Sequence, residues 1–259
     1  MPRKPRKLSN SGVYHVMIRG NEKKDIFIDH SDKNKIVRVL KSVNTKKSYS
    51  LYAYCIMNNH AHFVIKELNE DISNIMKRIN TSYATYYNRK YNRVGHVFQD
   101  RFKSEPVEDE RYLLQVIRYV HNNPVKAEIV AEPENYPWSS YSQYIAGGKD
   151  QEDFLSSEEI LELYGKTQDN AIIKFIEFTK KSDDKEFLDT HDDVSKSQEI
   201  TMIVDNYLSK NQIKREVLLS NREIRNRLVV KLREEYGFSI RCIERETGIN
   251  RNIIQRLTT

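Results

Sequence analysis

The chain has 259 residues, 38% hydrophobic and 31% charged, and a formal net charge of +6. That is enough length for one large domain or two, and the composition is that of a globular protein with a heavily solvated surface. No run approaches the roughly 18 apolar residues a membrane span needs, and the basic N-terminus lacks the apolar core of a signal peptide. The two cysteines, Cys55 and Cys242, belong to no CxxC pair, which argues against a disulfide scaffold or a structural zinc finger and fits a reducing cytoplasm. The positive balance admits an acidic polymer as partner.

In chain order, residues 1–11 form a basic, proline-containing arm. Residues 12–20 then read as a strand between glycines, with Tyr14, Val16 and Ile18 on one face and His15, Met17 and Arg19 on the other. Apolar spacing predicts a helix over 32–48 with Ser31 as N-cap, followed by strands over 51–57 and 60–66 paired as an antiparallel hairpin. A second helix is expected over 70–91, an extended segment over 95–107, and a third helix over 109–122. Asn123-Pro124 is read as its stop, because a residue before proline is biased out of the helical region. Residues 132–146, with Trp138, Tyr141 and Tyr144, read as an aromatic strap.

The order strand, helix, strand, strand, helix, strand, helix predicts an α+β fold. Its core is a ferredoxin-like or palm-like antiparallel sheet with helices on one face. We assign residues 1–148 to this domain, 149–199 to a helical and partly flexible linker, and 200–259 to an all-α region. Within that region lies a helix-turn-helix pattern: a helix over 221–236, then 239–247, Gly248, and 250–257. Its last helix would expose Arg251, Asn252, Gln255 and Arg256, side chains that read base edges and phosphates in duplex DNA. The alternative is a helical cap with a basic solvated face; Arg241 and Arg245 on the preceding helix favour duplex binding.

Two further patterns carry possible chemistry. Period-two alternation sends His60 and His62 to one face of their strand, which makes half of a divalent-metal site. Alone, His-x-His equally describes a turn cap and a packed imidazole. Tyr119 and Asn123 are four residues apart, one turn from each other on one helical face. Tyrosine can act as a nucleophile on phosphodiesters, and an asparagine oxygen is a hard ligand of the type magnesium or manganese accepts. His121 competes as a third ligand but lies about 200° around the helix from Tyr119. Tyr112, two turns earlier, reads as packing.

Five blocks taken together resemble the single-tyrosine HUH transposase family, closest to its REP-associated tyrosine transposase branch. They are Tyr14-His15-Val16-x-x-Arg19-Gly20-Asn21, Met57-Asn58-Asn59-His60-Ala61-His62, Phe98-Gln99-x-Arg101-Phe102-Lys103, Tyr119 through Ala127, and Trp138-Ser139-Ser140-Tyr141. The resemblance covers about the first 145 residues. It implies a Mg²⁺- or Mn²⁺-dependent DNA transposase with Tyr119 as nucleophile and His60, His62 and Asn123 as metal ligands. Such an enzyme cleaves and rejoins single-stranded, hairpin-bearing DNA through a 5′-phosphotyrosine. His15, Arg19, Lys66, Arg101, Lys103 and Lys126 are expected to line the strand's path. Duplex DNA is a possible second partner through the helix-turn-helix. The expected state is a cytoplasmic monomer or homodimer. Two rival readings are a domesticated hairpin-DNA-binding regulator that leaves the site unused, and a metal-dependent hydrolase that forms no covalent product.

Overall fold

A computed structural model describes residues 6–147, 154–181, 190–211, 213, 218, 221–238 and 240–257. The chain divides into two compact units, 1–188 and 189–259.

The first unit is organised on a four-stranded antiparallel sheet in the order β2-β3-β1-β4. Its strands are β1 (Val13–Arg19), β2 (Tyr49–Ile56), β3 (His60–Glu67) and β4 (Lys103–Pro106). The hairpin and the alternation of β1 follow the sequence reading. The extended segment 95–107 is strand only over its last residues. Before that, Phe98 makes an isolated bridge to Gly20, and the Arg101 amide turns onto the Asp100 carboxylate at 2.7 Å.

Helices cover both faces of the sheet, which corrects the expectation of helices on one face. Helices α1 (His30–Val43) and α2 (Ile72–Lys90) bury Ile36, Leu40, Ile75 and Ile79 against Val16, Ile18, Phe63 and Ile65. On the opposite face, α3 (Glu110–Lys126) packs Val116, Ile117 and Val120 against Val13, Ala53, Cys55 and Val64. The short helix α4 (Tyr141–Ile145) joins that second core, as do α5 (Ser157–Leu161) and α6 (Gln168–Lys180). Residues read as linker thus contribute Ile160, Leu161, Ala171 and Phe175 to the first unit. The physical reason lies in β2: a register shift between Leu51 and Ala53 turns both Tyr52 and Ala53 to the α3 side, so both sheet faces are apolar and each needs a cover.

Local chemistry sets the helix ends. Helix α1 starts at Asp29 rather than Ser31, because Asp29 and Asp32 form a reciprocal capping box. Asp71 caps α2 and Asp109 caps α3. Helix α3 does not stop at Asn123; Pro124 lies inside it, buried. A proline this near the end removes one amide bond, and burial of Val120, Asn123 and Pro124 outweighs that loss. The helix closes three residues on: Ile129 donates to the Pro124 carbonyl and Glu128, at φ 56°, donates to Val125.

The aromatic strap seals the free edge of β2. Ile56 donates to the Trp138 carbonyl and Ser140 to that of Tyr54, while the Tyr136 and Tyr144 hydroxyls bond the carbonyls of Ile56 and Tyr52.

The second unit contains α7 (Thr190–Lys210), α8 (Arg222–Glu234), α9 (Ile240–Thr247) and α10 (Arg251–Leu257). Ile200, Val204, Leu228, Val229, Leu232, Ile243, Ile249 and Ile254 form its own core. Residues 190–199, read as linker, are the first half of α7: once Ile200, Val204 and Leu208 are packed, extending the helix backwards needs no new nucleus. Residues 182–189 of the expected linker, and 214–217 and 219–220 of the all-α region, lie outside the described residues. Helix α8 ends at Gly237, φ 69°, where Phe238 donates to the Leu232 carbonyl. Between α9 and α10, Gly248 takes φ 71° and Asn250 accepts from the Asn252 amide.

Candidate active site

The register of β1 against β3 places Met17 opposite His62 and Arg19 opposite His60, so His15, Met17, Arg19, His60 and His62 share the α3 side of the sheet. The imidazoles of His60 and His62 lie 5.1 Å apart, nearly perpendicular. Tyr119 descends from α3 with its ring 5.7 Å from that of His62 and 5.8 Å from that of His15. Tyr119 is 4% exposed. The histidines therefore do not face the α1–α2 core; they face the helix that carries the candidate nucleophile.

Hydrogen bonds hold both rings. His60 Nδ1 meets Asn59 Oδ1 at 2.6 Å, and His62 Nδ1 meets His15 Nε2 at 2.9 Å. Asn123, one turn beyond Tyr119, is buried, and its side-chain Nδ2 makes no hydrogen bond. Turning that amide over exchanges its nitrogen for its oxygen without moving the helix. Among the described residues no three His, Cys, Asp or Glu side chains gather as a metal site. Imidazole nitrogens and an amide oxygen are donor types that a divalent ion such as Mg²⁺ or Mn²⁺ accepts.

The structure separates the cationic residues. Lys126 is exposed, with its ammonium 4.9 Å from the centre of the Tyr119 ring. Arg19 is half-buried beside His60, and Lys103 pairs with Met17 on β4, at the other side of β1 from His62. Lys66 shares the face of His62 but stands at the far end of β3, and Arg101 is exposed off the sheet edge. His15, expected along the strand's path, is fully buried under α3. Arg251, Asn252, Gln255 and Arg256 are all exposed on α10, with Ile254 buried beneath them, in the second unit.

His121 belongs elsewhere. It is buried among Tyr141, Tyr144 and Phe175, accepts or donates a 2.8 Å bond with Ser140 Oγ, and burial lowers its pKa to about 3. Tyr112 is half-buried; burial, then a bond to Glu105, pushes its hydroxyl pKa up. Beside Tyr119 a cleft of about 360 Å³ opens between α3 and the end of α6, with Arg118, Lys126, Lys180 and Lys181 among its walls.

Sequence reasoning missed the scaffold of the His60 turn. Lys33, whose pKa burial lowers, donates to Asn58 Oδ1 at 2.9 Å, and the Asn58 carbonyl accepts from Ile26 and Phe27. Asn59 Nδ2 donates to the Lys23 carbonyl, and the Asn59 carbonyl accepts from Gly20. Two consecutive asparagines before His60 were the visible signal.

Two imidazoles on one sheet face thus lie under a helix that carries a buried tyrosine. Residues 9–123 match the family model described as "Transposase IS200 like". The matched span lies within the first unit, which is similar over those residues to the IS200-like transposase family. Solved structures similar to the chain include a REP-associated tyrosine transposase bound to a REP hairpin, at 16% identity and TM-score 0.49, covering 57% of this chain and 87% of that one. Another is a protein from Deinococcus radiodurans R1 described as a candidate transposase, at 15% identity and TM-score 0.33, covering 47% and 97%. No curated protein matches the chain. Among the described residues no helix is long and apolar enough to cross a membrane.

Proposed function

We propose that this protein is a metal-dependent single-strand DNA transposase that cleaves and rejoins hairpin-bearing DNA through Tyr119. The observation that carries the reading is Tyr119 set edge-on to His62 at 5.7 Å, with His60 alongside, in a domain matched by a transposase family model.

The Tyr119 phenolic oxygen attacks the scissile phosphorus as its proton departs. The bond from phosphorus to the 3′ oxygen breaks, that oxygen takes up a proton, and a 5′-phosphotyrosine remains. The ester keeps the energy of the broken bond, so attack by another 3′-OH rejoins DNA without ATP. Lys126, with its ammonium 4.9 Å from the centre of the Tyr119 ring, is suited to a phosphate held beside the nucleophile. His60, His62 and Asn123 would hold Mg²⁺ or Mn²⁺, which supplies charge neutralisation at the scissile phosphate and the leaving oxygen. Arg19 and Lys103 flank this face and are suited to neighbouring phosphates, with Arg101 and Lys66 further along the strand.

In the second unit, Gly248 between α9 and α10 and the exposed Arg251, Asn252, Gln255 and Arg256 support a helix-turn-helix that reads duplex DNA. A regulator that binds hairpin DNA without cutting it is the second reading, favoured by the 4% exposure of Tyr119. Incubation with end-labelled single-stranded hairpin DNA and Mn²⁺ tests the choice. Cleavage that is lost in Tyr119→Phe and in His60→Ala is expected. Tight binding with no cleavage supports the regulator, and cleavage surviving Tyr119→Phe contradicts the tyrosine mechanism.

A further inference from the structure

We propose that Asn59 and His15 are positioning residues that fix the rings of His60 and His62 with their lone pairs on Nε2. The inference rests on the reading of that pair as metal ligands.

The argument begins at Asn59. Its Nδ2 donates to the Lys23 carbonyl at 3.1 Å, so the amide orientation is set and Oδ1 is the atom turned to His60. An amide oxygen only accepts. The 2.6 Å contact therefore requires the His60 proton on Nδ1, which places the lone pair on Nε2. The Asn59 carbonyl is itself held by the Gly20 amide at 2.8 Å, so both ends of the residue are tied to the loop after β1.

His15 does the equivalent for His62. It is 0% exposed and stacked on His62, with ring centroids 5.1 Å apart. A neutral imidazole that ligates through Nε2 carries its proton on Nδ1. The 2.9 Å bond then runs from His62 Nδ1–H to His15 Nε2. The same ring stands 5.8 Å from Tyr119, so His15 fills the angle between the ligand and the nucleophile. Its burial under α3 removes it from the surface that DNA touches. Partners of this type set ligand orientation and basicity, and losing one weakens metal affinity roughly 10- to 100-fold.

Mn²⁺ affinity, read from the EPR signal of free Mn²⁺ during titration of the full-length protein, tests this without DNA or turnover. His15→Leu and Asn59→Ala are each expected to weaken binding roughly 10- to 100-fold. His15→Gln, whose amide oxygen can accept at the position of Nε2, and Asn59→Asp, which keeps an acceptor, are expected to return to within a few-fold of wild type. Wild-type affinity in both His15→Leu and Asn59→Ala, with binding lost in His60→Ala, overturns the proposal and leaves the metal reading intact. Wild-type affinity in His60→Ala overturns the metal reading itself. Thermal unfolding by circular dichroism verifies each variant. If His15→Leu does not fold, Asn59→Ala and Asn59→Asp decide, because Asn59 lies on a half-exposed turn outside the core.

Discussion

At the scale of single residues, the site depends on atoms that present no reactive group. Gly20 is the clearest. A Cβ there would overlap the Lys24 carbonyl oxygen and come within 2.8 Å of Ile26 Cγ2, and the Gly20 amide is what holds Asn59. Gly20→Ala should therefore destabilise the first unit by about 1–3 kcal/mol, measured by urea unfolding, and weaken Mn²⁺ binding beyond what the stability change explains. Unchanged stability and affinity would contradict the packing described. His60 and His62 could be read from alternation alone, since period two fixes a shared face. Which face is covered depends on a helix fifty residues downstream. For that reason the sequence pattern put His15 toward DNA, whereas α3 buries it against His62.

At the scale of elements, the packing of α2 against α1 is locked by a carboxylate. Asp32, whose side chain is wholly buried, accepts from Lys90 at 2.7 Å, from Tyr91 at 2.7 Å and from Tyr86 at 3.1 Å. Burial alone would raise its pKa, but these bonds and the Asp29 amide hold it below the ordinary aspartate value. A lowered folded-state pKa means stability that is present above the unfolded value of about 3.9 and is lost as pH falls through the folded value. Asp32→Asn is expected to cost about 3 kcal/mol at pH 7. In urea titrations from pH 7 down to pH 2, the gap between variant and wild type should narrow below about pH 4. A constant gap would show that Asp32 stays outside this linkage.

The elements themselves were readable where periodicity was long, as in α1, α2 and the β2–β3 hairpin. The covering of both sheet faces was not, although the unbroken apolar run from Leu51 to Met57 was the signature of a strand buried on both sides. The end of α3 was misplaced because a local rule about proline met a stronger tertiary term.

At the scale of the whole molecule, the two units have separate cores. If α10 reads duplex DNA, Arg251→Ala and Arg256→Ala should each lower the slope of log affinity against log salt by about 0.9, with adduct formation on single-stranded hairpins unchanged. An unchanged slope would leave α10 as a solvated helical cap. The boundary between the units was difficult to read because α6 is weakly amphipathic and its anchor, Phe175, packs against His121, Tyr141 and Tyr144, more than thirty residues earlier in the chain. The central claim concerns one bond. Peptide mapping by mass spectrometry, after reaction with single-stranded hairpin DNA and Mn²⁺ and quenching in denaturant, locates it directly. The account predicts a 5′-phosphonucleotide on the peptide containing Tyr119 and on no other. Its appearance on Tyr112, or cleaved DNA with no modified peptide, would contradict the account.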